Sequence, residues 1–348
     1  MATIKDIARR SGYAVGTVSR VLNGTPGVSP EARSRVLAVV AETGFQPNDN
    51  ARHLKQRRSE SIAIIVKGVG NMLFASILET MQSLIKAAGK AAAVYYLDED
   101  DNEVEQAVRV CRELKPMGIL FLGGNRGNFL KSFGQIVCPC VLVSNRASAM
   151  GFPNLSSVAT DDIDGAASAM GFLLDAGHRA VGVIGGESCV VSPELLCNTS
   201  QLRLTGCIRA CAQRGVPFDP ASQTAQARFS MEGGYEGTRV LLDRMPELTA
   251  IFAMSDVMAI GAIRAVLDRG RRIPEDVSVM GYDGIEQAHY CTPRLTTIRQ
   301  GADQMARRGV EILLAQLAGE QDAVHEIIPF SLTLGESVRH MKGRMDDL

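Results

Sequence analysis

The sequence predicts an α/β protein, two lobes of doubly wound parallel sheet preceded by a small all-α helix-turn-helix head. Three observations carry this. From Ile62 onward, short β-rich runs alternate with segments of helical periodicity, the pattern of βα units around a parallel sheet. Ahead of them stand three short helical segments with a tight turn between the first two. The charge divides at the same place: residues 1–60 hold ten Lys/Arg against five Asp/Glu, net +5, and the remainder holds 27 against 33, net −6. A basic head on a mildly acidic body points to a polyanion partner for the head alone.

In the head, Thr3 can cap a first helix with Asp6 as the reciprocal acid; Ile4, Ile7 and Ala8 form its apolar stripe and Gly12 ends it. The second helix, Val15 to Asn23, is built from poor helix formers. β-Branched side chains lose rotamer freedom there, and Gly16 costs about 1 kcal/mol against alanine. Packing rather than propensity must hold it, with Val18, Val21 and Leu22 inward and Val15, Gly16 and Arg20 on the opposite face. The second helix of such a motif enters the DNA major groove. There Arg20 suits guanine O6 and N7, Val15 a thymine methyl, and Gly16 a close backbone approach. Thr3, Thr17, Ser19 and Asn23 suit phosphates. Ser29-Pro30-Glu31 starts a third helix whose buried face is Val36, Leu37, Val39 and Val40, closed by Gly44.

In the body, strands are expected at "IAIIVK", "AAVYYL", "GILFLG", "CVLVSN", "AVGVIGG", "AIFAMS" and "VSVMGYD". Helices are expected at 73–88, 101–114, 162–176, 200–214, 232–244, 256–269 and 301–318. The order divides into two lobes, with crossings near 161 and 292. In such sheets ligands sit off the carboxyl ends of the strands. No apolar run reaches membrane-spanning length and the N-terminus lacks a signal-peptide core, so a cytoplasmic chain is expected. The eight cysteines follow no metal or C-x-x-C spacing and read as reduced thiols. Gly68-Val69-Gly70 after the first strand resembles the start of a dinucleotide fingerprint, but Leu73 holds the third glycine's place, so the pair reads as a tight turn. No other catalytic motif is present, and no enzyme or cofactor is expected.

"TIKDIARRSG", "TVSRVLNG" and "VSPEARSRV" resemble the N-terminal signature of the LacI/GalR family of bacterial transcription regulators, without gaps over residues 2–58. Ala14 stands where the family usually has serine and is left out of the site. The resemblance implies a hinge helix at "AR-x-L-K", with Arg52, Leu54 and Lys55 on DNA. It would fold on operator DNA beside its dimer mate, Leu54 wedging into the minor groove. It also implies a periplasmic-binding-protein-like effector domain. The expected layout is a head at 1–46, a hinge at 47–60, an N-terminal lobe at 61–161 plus 292–322, a C-terminal lobe at 162–291 plus 323–340, and a tail at 341–348. By the same resemblance, Leu73, Phe74, Asp161, Thr199, Arg203, Phe229, Asp256 and Asp283 line an effector site between the lobes. The alternative for Phe74 and Phe229 is ordinary core, and for Arg203 with Asp283 a structural ion pair. Ring stacking together with Arg and Asp suits a sugar or sugar acid, and Cys197 stands where purine-binding members have arginine, which counts against a purine. The expected function is a homodimeric, effector-controlled regulator of operator DNA, most simply a repressor. A solute-binding protein for transport shares the two-lobed body but needs an export signal and no helix-turn-helix.

Overall fold

The computed structural model describes residues 4–22, 28–43, 60–68, 70–185 and 198–341. Contacts divide the chain into two units, residues 1–59 and 60–348. In the first, α1 (Ile4–Ser11), α2 (Val15–Leu22) and α3 (Pro30–Thr43) gather Ile7, Ala8, Val18, Val21, Val36 and Val39 into one core. α1 stops at Gly12, whose φ of +77° is open to glycine without strain. α3 starts as expected, the Ser29 hydroxyl accepting from the Ala32 amide at 3.3 Å ahead of Pro30 and Glu31. Leu37 departs from expectation and is 48% exposed. It follows the fully buried Val36, and one residue turns a helix by about 100°. Thr3, Asn23 and Gly44 lie outside the described residues.

The second unit holds two six-stranded sheets. The first has the order β11-β5-β4-β3-β1-β2, every neighbouring pair parallel. Its strands are β1 (Ser61–Lys67), β2 (Ala91–Leu97), β3 (Gly118–Leu122), β4 (Cys140–Val143), β5 (Leu155–Ala159) and β11 (His325–Ile327). The second has the order β12-β10-β9-β8-β6-β7, parallel except for β10 with β12. It comprises β6 (Val181–Gly185), β7 (Thr224–Gln226), β8 (Ala250–Ala253), β9 (Ser278–Asp283), β10 (Thr296–Arg299) and β12 (Ser331–Thr333).

Burial on both faces explains the unbroken apolar strands. Ile62, Ile64 and Val66 of β1 share a core with α4 (Met72–Ala87) and α11 (Ala302–Ala318). Ala63 and Ile65 share another with α5 (Glu103–Glu113) and α6 (Arg126–Ser132). Val181 and Val183 of β6 pack with α7 (Asp162–Asp175) and α8 (Thr199–Gln213). Ile184 packs with α9 (Met231–Arg244) and α10 (Asp256–Asp268).

The seven expected strands and seven expected helices form, and further elements appear that were not expected: β5, β7, β10, β11, β12 and α6. β5 shows why. Its Ser156 and Ser157 are buried, but their hydroxyls accept from the amides of Val324 at 3.1 Å and Ala147 at 3.0 Å, partners remote in sequence. The chain's first crossing between the sheets follows β5. The second comes after Arg299 rather than near 292, because β10 pairs with β9, and β11 returns to the first sheet before β12 rejoins the second. Residues 292–299 thus belong with the C-terminal lobe and 325–327 with the N-terminal one.

Candidate functional site

The carboxyl ends of both sheets open on a cleft of about 670 Å³. Loops at strand ends and the first turns of α4, α6, α8 and α9 line it. Each of these helices starts on a lining residue that caps it: Asn71 accepts from Leu73, Asn125 from Gly127, Asn198 from Gln201 and Ser230 from Gly233. Gly68, with φ +94°, and Gly70 make the tight turn into α4. Six of the eight expected effector residues line this cleft: Leu73, Phe74, Thr199, Arg203, Phe229 and Asp283.

Arg203 is the most constrained. It is buried, its Nε donates to Asp162 Oδ1 at 2.8 Å, and its Nη1 donates to the Met254 carbonyl. Its guanidinium lies 3.7 Å from the centre of the Tyr282 ring, and Nη1 is 3.7 Å from Asp283 Oδ1. Burial opposes its charge, but Asp162, Tyr282 and Asp283 outweigh that and hold it protonated. The ion pair and the cleft position thus coexist in one residue.

Asp283 ends β9 at φ +125°, a conformation L residues seldom adopt. Gln300 Nε2 donates to its Oδ1 at 2.7 Å. Burial pushes its carboxyl well above the ordinary range despite Arg203. The next two amides are tied down by Asp256, whose Oδ2 accepts from Gly284 at 2.7 Å and Ile285 at 2.9 Å, while Oδ1 accepts from the Thr297 hydroxyl at 2.6 Å.

Two expected residues stand elsewhere. Asp256 is fully buried behind the cleft, holding the turn that aims Asp283. Asp161 caps α7, accepting from Ile163 and Asp164, and pairs with Arg146 at 3.1 Å. Neither lines the cleft. The aromatic residues do. Phe74 is largely core but presents an edge beside Gly123, where an added Cβ would come within 2.8 Å of the ring at φ +78°. Phe229 is half-buried, packed against the apolar clusters on both faces of the second sheet.

Other lining residues escaped the sequence reading. Asn145 Nδ2 donates to Thr199 Oγ1 at 2.9 Å, spanning the lobes. On the rim, Arg228 pairs with Asp98 and Glu99 and, at 3.4 Å, with Asp100. The acids of "DEDD" after β2 drew no reading from the sequence; the signal for their role is Arg228, 128 residues beyond Asp100 and invisible to local pattern. Among the described residues, no group of three or more His, Cys, Asp or Glu could hold a metal ion, and no helix is long and apolar enough to cross a membrane.

In the head, Val15, Gly16 and Arg20 lie exposed on one face of α2, with Thr17 and Ser19 half-exposed beside them, and Val18 and Val21 turn inward. This leaves a small-residue surface with one guanidinium. Arg52, Leu54 and Lys55 lie outside the described residues.

Residues 3–48 match the model for bacterial regulatory proteins of the lacI family, and residues 170–338 that for periplasmic binding protein-like domains. The chain is 32% identical to the HTH-type transcriptional regulator MalR of Clostridium butyricum, over 96% of this chain and 98% of that one. It is 30% identical to the ribose operon repressor of Haemophilus influenzae, over 98% and 100%. A PurR repressor of the same species is 30% identical over 96% of each chain. Among solved structures, a CelR–cellobiose complex is 28% identical with a TM-score of 0.69, covering 97% of this chain and 100% of that one. The operator-bound lac repressor dimer shares the fold at 24% identity and a TM-score of 0.72, covering 97% and 99%. These relatives of 30% identity or more are transcriptional regulators, not enzymes.

Proposed function

Because this chain belongs to the lacI family of bacterial regulatory proteins, we propose that it is a homodimeric repressor whose hold on operator DNA is set by a sugar-like effector in the cleft. The observation that carries the reading is one chain holding both halves of the device. One half is a three-helix head with an exposed, small-residue recognition face. The other is a two-sheet body with a polar cleft at its strand ends.

In the head, Arg20 reads a base and Val15 and Gly16 admit the backbone to the groove, while Thr3, Thr17, Ser19 and Asn23 hold phosphates. Arg52, Leu54 and Lys55 engage the minor groove at the operator centre. In the body, Phe74 and Phe229 take the apolar faces of a sugar ring, and Arg203, Asp283 and Thr199 its hydroxyls. The sugar class is supported by a relative described as a ribose operon repressor and a solved relative that holds cellobiose. Effector and operator are coupled by linkage: a ligand that prefers one lobe arrangement shifts operator affinity by its differential affinity for the two.

The test is operator selection with the purified protein, followed by a thermal-shift screen of sugars and nucleosides, since a ligand of the native state raises its melting temperature. Arg20→Ala is expected to weaken operator binding and relax preference at one base position, leaving effector affinity alone. Selection of no DNA sequence sinks the repressor reading. A nucleoside as the stabilising ligand sinks the sugar reading.

A further inference from the structure

We infer that the cleft selects an uncharged, polyhydroxylated effector and rejects anionic ones such as sugar phosphates and sugar acids, because every basic residue on its described walls is already neutralised within the protein. This deepens the proposed function and rests on the cleft being the effector site. Three basic residues line the described cleft. Lys67 Nζ pairs with Glu103 Oε2 at 2.7 Å and also donates to the Asp101 carbonyl. Arg203 is held by Asp162. Arg228, on the rim, faces Asp98, Glu99 and Asp100 together.

Arg228 decides the sign. An exposed ion pair is weak singly, but three carboxylates around one guanidinium make the local field negative whatever each pair contributes. An incoming phosphate would have to displace carboxylates from Arg228 while exposed to the rest of them. The opposing influence is the four helix starts on the cleft, since such ends attract anions. Each, however, already places a side-chain oxygen of Asn71, Asn125, Asn198 or Ser230 on one of its first amides. What the walls offer are amides and hydroxyls, such as Asn145, Thr199 and Gln300, the paired donors and acceptors that hydroxyl groups need.

The experiment uses the full chain and inorganic phosphate as probe, titrated calorimetrically at fixed ionic strength. The signal counted is the part that Arg228→Ala removes, which excludes phosphate bound by the basic head. Wild type is expected to show no such signal. The triple variant Asp98→Asn/Glu99→Gln/Asp100→Asn is expected to gain one, because its Arg228 is released. An Arg228-dependent phosphate signal in wild type, or none in the triple variant, overturns the inference. In parallel, neutral sugars are compared with their phosphate esters and acids. The charged partner is expected to bind at least about tenfold more weakly, and equal or tighter binding overturns the inference. A neutral nucleoside that binds while its monophosphate does not upholds the charge selection and retracts the sugar reading alone.

Discussion

Removing Arg203 separates its two roles and tests the buried network directly. In Arg203→Ala, Asp162 loses the donor at 2.8 Å and stays buried, Met254 loses a donor to its carbonyl, and Tyr282 loses the cation over its ring. Breaking one side of a buried pair costs about 3–5 kcal/mol, because the remaining charge is uncompensated. At roughly 2–3 °C per kcal/mol for a unit this large, the body should melt about 6–15 °C lower. Asp283→Asn should behave differently. Burial already pushes that carboxyl toward its neutral form, and Gln300 can still donate to an amide oxygen, so the loss should stay near 1 kcal/mol. Asparagine also tolerates positive φ better than most residues. The assay is thermal melting by circular dichroism together with operator binding by fluorescence anisotropy, with and without effector. Asp283→Asn should bind operator normally and lose the effector response. Arg203→Ala should show both lost response and lowered stability, and adding Asp162→Ala should recover part of the melting temperature. Melting of Arg203→Ala within about 2 °C of wild type would refute the buried network.

Three further outcomes are expected. His178 bonds the Arg339 carbonyl through Nε2 and the Thr249 hydroxyl through Nδ1, both at 3.1 Å, and burial holds its pKa below the ordinary histidine value. Its stabilising contribution is therefore complete above about pH 6.5 and is lost as pH falls toward the depressed value. His178→Gln should flatten that slope in melting temperature against pH, and an unchanged slope assigns it elsewhere. The difference isolates His178 from Asp162 and Asp283, whose raised values act with opposite sign. Gly123→Ala should cost about 1–2 kcal/mol from its positive φ and push Phe74 toward the cleft, weakening effector binding; unaltered affinity would take Phe74 out of the site. In the head, Val36→Ala should cost about 1–2 kcal/mol, whereas Leu37→Ala should stay within about 0.5 kcal/mol by denaturant titration. Equal losses would contradict the observed face of α3.

What the sequence determined by itself was local or periodic. The caps and glycines that start and stop helices, the alternation of strands and helices, and the poor-propensity helix with Val18 and Val21 on its inward face are written in neighbouring residues, because their physics acts over a few positions. The resemblance supplied Arg203 and Asp283, and the fold brought both to the cleft. Only the tertiary structure decided the rest, because it depends on partners distant along the chain. β5 became a strand through serines satisfied from Ala147 and Val324. β10 joined the second sheet by pairing with β9, moving the lobe boundary. Asp256 and Asp161 proved to be supports, one tying down the turn after Asp283 and the other capping a helix, distinctions that residue type alone does not carry. The charge state of the cleft follows the same rule. A lysine or arginine in a sequence is a cation, and whether it can attract a ligand is set by the carboxylates that folding places beside it, as Asp98, Glu99 and Asp100 are placed around Arg228.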